Sequence, residues 1–206
     1  MANYPCSAVI LAGGESKQCD DQKKESMAFD IRRAMDRLLS VLVPKFDEII
    51  LVTPDPLRCL EWDLVIVTEH FDDRGSLKGI HAGLLAASHP FALVTACAMP
   101  FVQSPVIELL WGAVQPHLDV IIPKTSRGLE PMAAIYSKRC LKPMAATLRN
   151  RQYALEKFFK QVRTLPIEET ELLRCDADLI SFCNLDSPEG LTVAERQWGR
   201  LTPESI

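Results

Sequence analysis

Long apolar runs are missing from this chain. Its longest stretches fall far short of the roughly 20 residues that cross a bilayer. No basic leader precedes "AVILA" at residues 8–12, and that run is too short for the apolar part of a secretion signal, so neither a membrane anchor nor export is expected. A surplus of basic charge is also absent. The formal net charge is −4, which argues against non-specific binding of nucleic acid. Seven cysteines are present, an odd number, without a CxxC pair and without Cys/His metal spacing. Scattered thiols inside apolar runs fit a reducing cytoplasmic compartment better than a disulfide framework. Internal repeats, low-complexity tracts and a clear linker are lacking too. What remains is an ordinary globular composition, 48% hydrophobic and 24% charged over 206 residues. That length suits one domain spanning 1–206, able to bury roughly 70% of its unfolded surface without disulfide or metal.

The apolar residues come in short runs separated by helical patterns. Strands are expected at 7–12, 48–53, 63–68, 91–97 and 118–123, and helices at 31–43, 77–88 and 104–114. Ser104-Pro105 is a good helix opening, since proline in the first turn gives up no needed N–H. Further helices are expected at 137–150, with Pro143 as a candidate kink, and at 153–162. The stretch 179–191 reads as a strand, a turn and a helix start. The strands are continuously apolar rather than alternating, as strands covered on both faces are. Alternation with helices predicts an α/β fold, a three-layer sandwich around a mostly parallel, Rossmann-like sheet. Ligands of such sheets bind beyond the carboxyl ends of the strands. The loops 12–24, 53–57, 68–79 and 97–104 are therefore the candidates, joined by 123–131 and 184–189.

The first of these loops holds Gly13-Gly14. It is neither G-x-G-x-x-G nor a Walker A loop, because no G-K-[ST] follows. Taken alone, Gly-Gly after a strand marks a tight turn as readily as a phosphate cradle. His70, His81, His89 and His117 fit no triad or metal spacing. Cys97 ends a buried run and reads as packed rather than nucleophilic.

Four separated segments share one pattern. "LAGGESKQCDDQK" (11–23) resembles L-A-G-G-x-S-x-R-M-G-x-D-K, "RGSLKGI" (74–80) resembles G-P-L-A-G-I, "GLEPMAAIY" (128–136) resembles H-E-P-L-x-A-x-Y, and "NLDSPEGL" (184–191) resembles N-x-[ND]-[TS]-P-E-D-L. Their order and spacing resemble the nucleotidyltransferase family that includes molybdenum cofactor guanylyltransferase, across residues 7–191. The resemblance implies transfer of GMP from GTP to molybdopterin, with Mg²⁺ required and pyrophosphate released. GTP and molybdopterin would be the small-molecule ligands and molybdoenzyme maturation proteins further partners; nucleic acid and membrane would be none. It also implies roles. Leu11, Ala12, Gly13 and Gly14 would bring backbone N–H groups to base and triphosphate, and Glu69 and Gly79 would lie at the nucleotide. Lys23 would bind the nucleotide and balance charge in catalysis. Glu130 and Asn184 would face the acceptor, and Asp186 would hold the metal. Thr68 competes with Glu69 for its register, and for Asp186 a turn or helix cap is an equal reading.

The departures are concentrated in the chemistry. Gln18 replaces a basic residue, Cys19 a methionine, Asp20 a glycine and Gln22 an aspartate. Where the family carries D-x-P after the fourth strand, this chain reads "CAMP", so Ala98 stands at the place of the metal-binding aspartate. Asp20 and Asp21 are either a substitute metal site or a solvated acidic pair. Two functions stay open: a working guanylyltransferase-like enzyme, with a cytidylyl variant as a relative of the same kind, or a family member that binds nucleotide or molybdopterin without transfer.

Overall fold

A computed structural model of the chain describes residues 4–13, 21–69, 75–151 and 154–198, and over 21–31 the backbone alone. The elements follow as β1 (Ser7–Leu11), α1 (Asp21–Leu42), β2 (Ile49–Val52), β3 (Val65–Val67), α2 (Leu77–Ala86), β4 (Phe91–Ala96), α3 (Ser104–Gly112) and β5 (Val120–Thr125). Then come β6 (Gly128–Leu129), β7 (Ala133–Ser137), α4 (Leu141–Arg149), α5 (Leu155–Phe159), β8 (Thr164–Glu168), α6 (Glu169–Leu172) and α7 (Pro188–Trp198).

The strands form one sheet in the order β3-β2-β1-β4-β7-β5-β6, with β8 also on β5. β1 pairs in parallel with β2 and β4, and β2 with β3. β7 is wedged antiparallel between β4 and β5, so β5 runs the same way as β4, and β8 is parallel to β5. The expected mostly parallel sheet is present, with β7 and β6 reversed in it.

Alternate residues of the continuous apolar runs serve opposite layers, as the period of a strand requires. Ala8 and Ile10 pack with Met35, Leu38 and Leu42 of α1 and with Val106, Ile107 and Leu110 of α3. Val9 and Leu11 pack with Leu77, Ile80 and Leu84 of α2, Met144 and Leu148 of α4, and Phe158 of α5. Three layers result. A smaller cluster of Phe101, Cys183, Ala194 and Trp198 seats α7. No described helix is long and apolar enough to cross a membrane.

Several elements differ from expectation. α1 begins at Asp21 rather than near Ile31. Its first ten residues lack an apolar stripe but are rich in good helix formers. β3 is only three residues long: it is the sheet edge, and Asp63 before it turns the chain with φ 46°. The strand expected from 179 is instead a 3₁₀ turn at Ile180–Phe182. Leu179 has φ 50°, and the Asp176 carboxylate accepts the N–H groups of Ile180 and Ser181 at 3.0 and 2.8 Å. Those N–H groups are thus satisfied locally rather than by a strand. Within 137–150 the chain leaves β7 and makes a 3₁₀ turn at Lys138–Cys140 before α4. Pro143 falls in the first turn of α4, where its missing N–H removes no helical bond.

Candidate active site

The sheet topology delivers the carboxyl ends of β1 to β4 to one edge. Leu11 O accepts from Cys97 N at 2.9 Å, Ala12 N donates to Val52 O at 2.8 Å, and Thr53 N donates to Val67 O at 3.1 Å. Gly13 lies against the β2 loop so closely that a Cβ there would stand 2.8 Å from Pro54 Cδ, well inside contact distance. Glycine is therefore required by packing at this turn, whatever else the turn binds. The loop after β5 reaches the same edge. Glu130 N donates to Pro123 O at 2.9 Å, and Arg127 Nη2 donates to Glu130 Oε1 at 3.2 Å and to Phe182 O at 2.8 Å. Thr125 Oγ1 donates to the same Glu130 oxygen at 2.9 Å. The carboxylate of Glu130 is thus ordered by its own hairpin, which Arg127 fastens to the segment leading into Asn184.

Leu185 N donates to Ala98 O at 2.8 Å, which docks the 184–187 turn on the end of β4. Inside that turn Asn184 Oδ1 accepts from Asp186 N at 2.9 Å. Ser187 Oγ accepts from Gly190 N at 3.0 Å and so caps α7. A Cβ on Gly190 would overlap the Asn184 carbonyl, so only glycine lets α7 start against this turn. The turn-forming and capping roles considered for Asp186 fall to Asn184 and Ser187. The Asp186 side chain is exposed, yet near enough for its charge to act on Cys97. Burial first, then the neighbouring Cys59 and Asp186, push the Cys97 thiol up to about 12, so it is a packed thiol and not a nucleophile at neutral pH.

On the other side of β1, Glu69 leaves the end of β3 and forms an ion pair with Lys78, Oε2 to Nζ 2.7 Å, both side chains about four-fifths covered (17% and 22% exposed). A Cβ on Gly79 would stand 3.3 Å from both Glu69 Oε1 and Leu11 Cδ1. Leu11, Glu69 and Gly79, named separately from the sequence, are thus neighbours. Ala12 and Gly13 continue β1 beside them.

Gly14, Ser16, Gln18, Cys19 and Asp20 lie outside the described residues. Lys23 falls in the first turn of α1, and its side chain is likewise outside what is described, as are those of Asp21 and Gln22. Sequence reasoning passed over Lys78 and Arg127. Lys78 had a signal, standing directly before Gly79 at a position where the pattern quoted above has alanine. Arg127 sits in a two-residue hairpin, where an arginine carries no signal of its own.

With this geometry in view, comparisons with known proteins are specific. The model of the MobA-like NTP transferase domain matches residues 8–165. The chain belongs to this family. It is 37% identical over 189 residues to the molybdenum cofactor guanylyltransferase of Desulfosudis oleivorans, covering 92% of this chain and 94% of that protein. It is 32% identical over 206 residues to the probable molybdenum cofactor guanylyltransferase of Peptoclostridium acidaminophilum, covering 96% and 90%. The fold matches molybdopterin-guanine dinucleotide biosynthesis protein A of Archaeoglobus fulgidus with a TM-score of 0.75 at 21% identity, covering 95% of this chain and all of that one. It also matches 2-C-methyl-D-erythritol 4-phosphate cytidylyltransferase of Thermus thermophilus, with a TM-score of 0.60 at 16% identity and coverage of 95% and 99%. The family membership agrees with the resemblance drawn from the four sequence segments.

Proposed function

We propose that the chain is a nucleotidyltransferase of molybdenum cofactor biosynthesis that moves GMP from GTP to molybdopterin. A phosphate oxygen of the pterin attacks the α-phosphorus, a new P–O bond forms, the bond to the β-phosphate breaks, and pyrophosphate leaves. The Leu11–Gly14 backbone holds base and triphosphate, Glu69 and Gly79 flank the nucleotide, and Lys23 balances charge at the phosphates. Glu130, ordered by Thr125 and Arg127, and Asn184 lie on the acceptor side. Free thiols in the described residues suit a reducing cytoplasm.

The observation that carries this reading is the hydrogen bond from Leu185 N to Ala98 O. It fastens the turn bearing Asp186 to the residue where the family's metal-binding aspartate is missing. Among the described residues no group of three His, Cys, Asp or Glu side chains gathers to hold a metal. Mg²⁺ does not need such a group, since it is commonly held by one or two carboxylates together with substrate phosphates and water. The exposed Asp186 carboxylate beside β4 fits that requirement, and Mg²⁺ bound there would neutralise charge on the leaving pyrophosphate.

A second reading, a carrier or regulator that binds without transfer, is favoured by Ala98 itself, which offers no ligand of its own. Incubation of the protein with GTP, Mg²⁺ and molybdopterin, followed by pyrophosphate release, separates the two. Turnover that falls by about 10²-fold or more in Lys23→Ala, with unchanged melting temperature, supports the enzyme. Binding of GTP with no pyrophosphate under any condition supports the carrier.

A further inference from the structure

The Glu69–Lys78 pair is an acceptor and a donor held side by side, each mostly covered, next to Leu11 and Gly79. A carboxylate alone selects no base, because guanine, adenine and cytosine all present N–H groups. The pair is more discriminating. Guanine carries, in sequence along one edge, an acceptor (O6) and two donors (N1–H and the 2-amino group). A carboxylate meets the two donors with its two oxygens, and an ammonium next to it meets O6. Cytosine offers a single donor group on its edge, the 4-amino group, followed by two acceptors, N3 and O2, so one carboxylate oxygen would face the N3 lone pair. An ion pair resting on itself also keeps the edge-reading groups neutralised before a nucleotide arrives, so a base must replace both contacts to displace it.

Resting on the nucleotide-binding reading above, we propose that Lys78 is a specificity residue that donates to guanine O6 while Glu69 accepts from N1–H and the 2-amino group. Lys78 therefore makes the choice of guanine over cytosine in this chain, and it does so from a position where the family pattern has alanine. Its contact is with the base, not with the phosphates.

The test is calorimetric titration of the intact protein and of Lys78→Ala with three ligands: GTP, 6-thioguanosine triphosphate and CTP. The thio analogue keeps both guanine donors and replaces O6 by sulfur, a weak acceptor. Lys78→Ala is expected to weaken GTP by about tenfold, the worth of one charge-assisted hydrogen bond, and to change the thio analogue and CTP by less than about twofold. Lys78→Arg, which keeps a donor, is expected to retain most of the GTP affinity. Equal losses for all three ligands would make Lys78 a general source of positive charge and overturn the proposal, as would no loss at all. Intact protein that binds none of the three would overturn the nucleotide-binding reading itself, whereas binding that ignores Lys78 removes only this inference.

Discussion

Asp119 shows how much one residue holds at the end of the sheet away from the site. It stands just before β5, where Oδ1 accepts from Arg139 Nε at 2.7 Å and Oδ2 from Arg163 N and Nε at 3.0 and 3.1 Å. Burial works against its charge, but the bonds from Arg163 and then Arg139 outweigh it and draw the carboxyl from 3.8 down to about 2. The folded pKa lies below the unfolded one. The stabilisation is therefore complete above the unfolded value and is lost as the pH falls through the folded one. Asp119→Asn is expected to destabilise by about 2 kcal/mol at neutral pH. Denaturant melts of both proteins across pH should show that difference shrinking between about pH 4 and pH 2. A difference that stays constant to pH 2 would remove the charge from the account. Cys6 and Cys140 are held in the same way as Cys97: burial lifts both thiols to about 12, so alkylating reagents should spare them in the native state.

At the scale of elements, the contact between α2 and β1 decides where the site can form. Gly83 faces Val9 at the centre of the sheet, and a Cβ there would overlap the Val9 side chain, which has no exposure. Alanine is the better helix former by about 1 kcal/mol, but Val9 cannot withdraw, so Gly83→Ala is expected to cost a net 1–2 kcal/mol or so. Val9→Ala in the same protein should recover part of that loss, and a double-mutant cycle from thermal melts measures it. Strict additivity would show that the two residues do not touch. The element-level surprises have similar local causes. The Asp176 carboxylate captured the N–H groups that would have made a strand after 179. β8 went unread because Pro166 sits inside it, which is tolerated there since, among the described residues, β8 pairs with β5 alone. β7 was hidden by its two alanines, poor strand formers, between a proline-bearing loop and a helix.

For the whole molecule, the sequence made the layers legible because strands buried on both faces are apolar nearly throughout, as β1 is from Ala8 to Leu11 and β2 at every position. It made the neighbourhood of Leu11, Glu69 and Gly79 legible only through a pattern spread over distant segments, since nothing local to Glu69 says what it faces. The pairing of Lys78 with Glu69, the bond from Arg127 to Phe182 O and the docking of Leu185 on Ala98 depend on distances between loops, and spacing along the chain carries no record of those. The central claim is that a phosphate-and-metal site persists without the aspartate at 98. Calorimetric titration with GTP and with CTP, each with and without Mg²⁺, in the intact protein and in Asp186→Asn, tests it most directly. The account predicts micromolar binding of GTP in preference to CTP, strengthened by Mg²⁺, with the Mg²⁺ effect lost in Asp186→Asn. GTP binding that ignores Mg²⁺, or a Mg²⁺ effect untouched by Asp186→Asn, would contradict it.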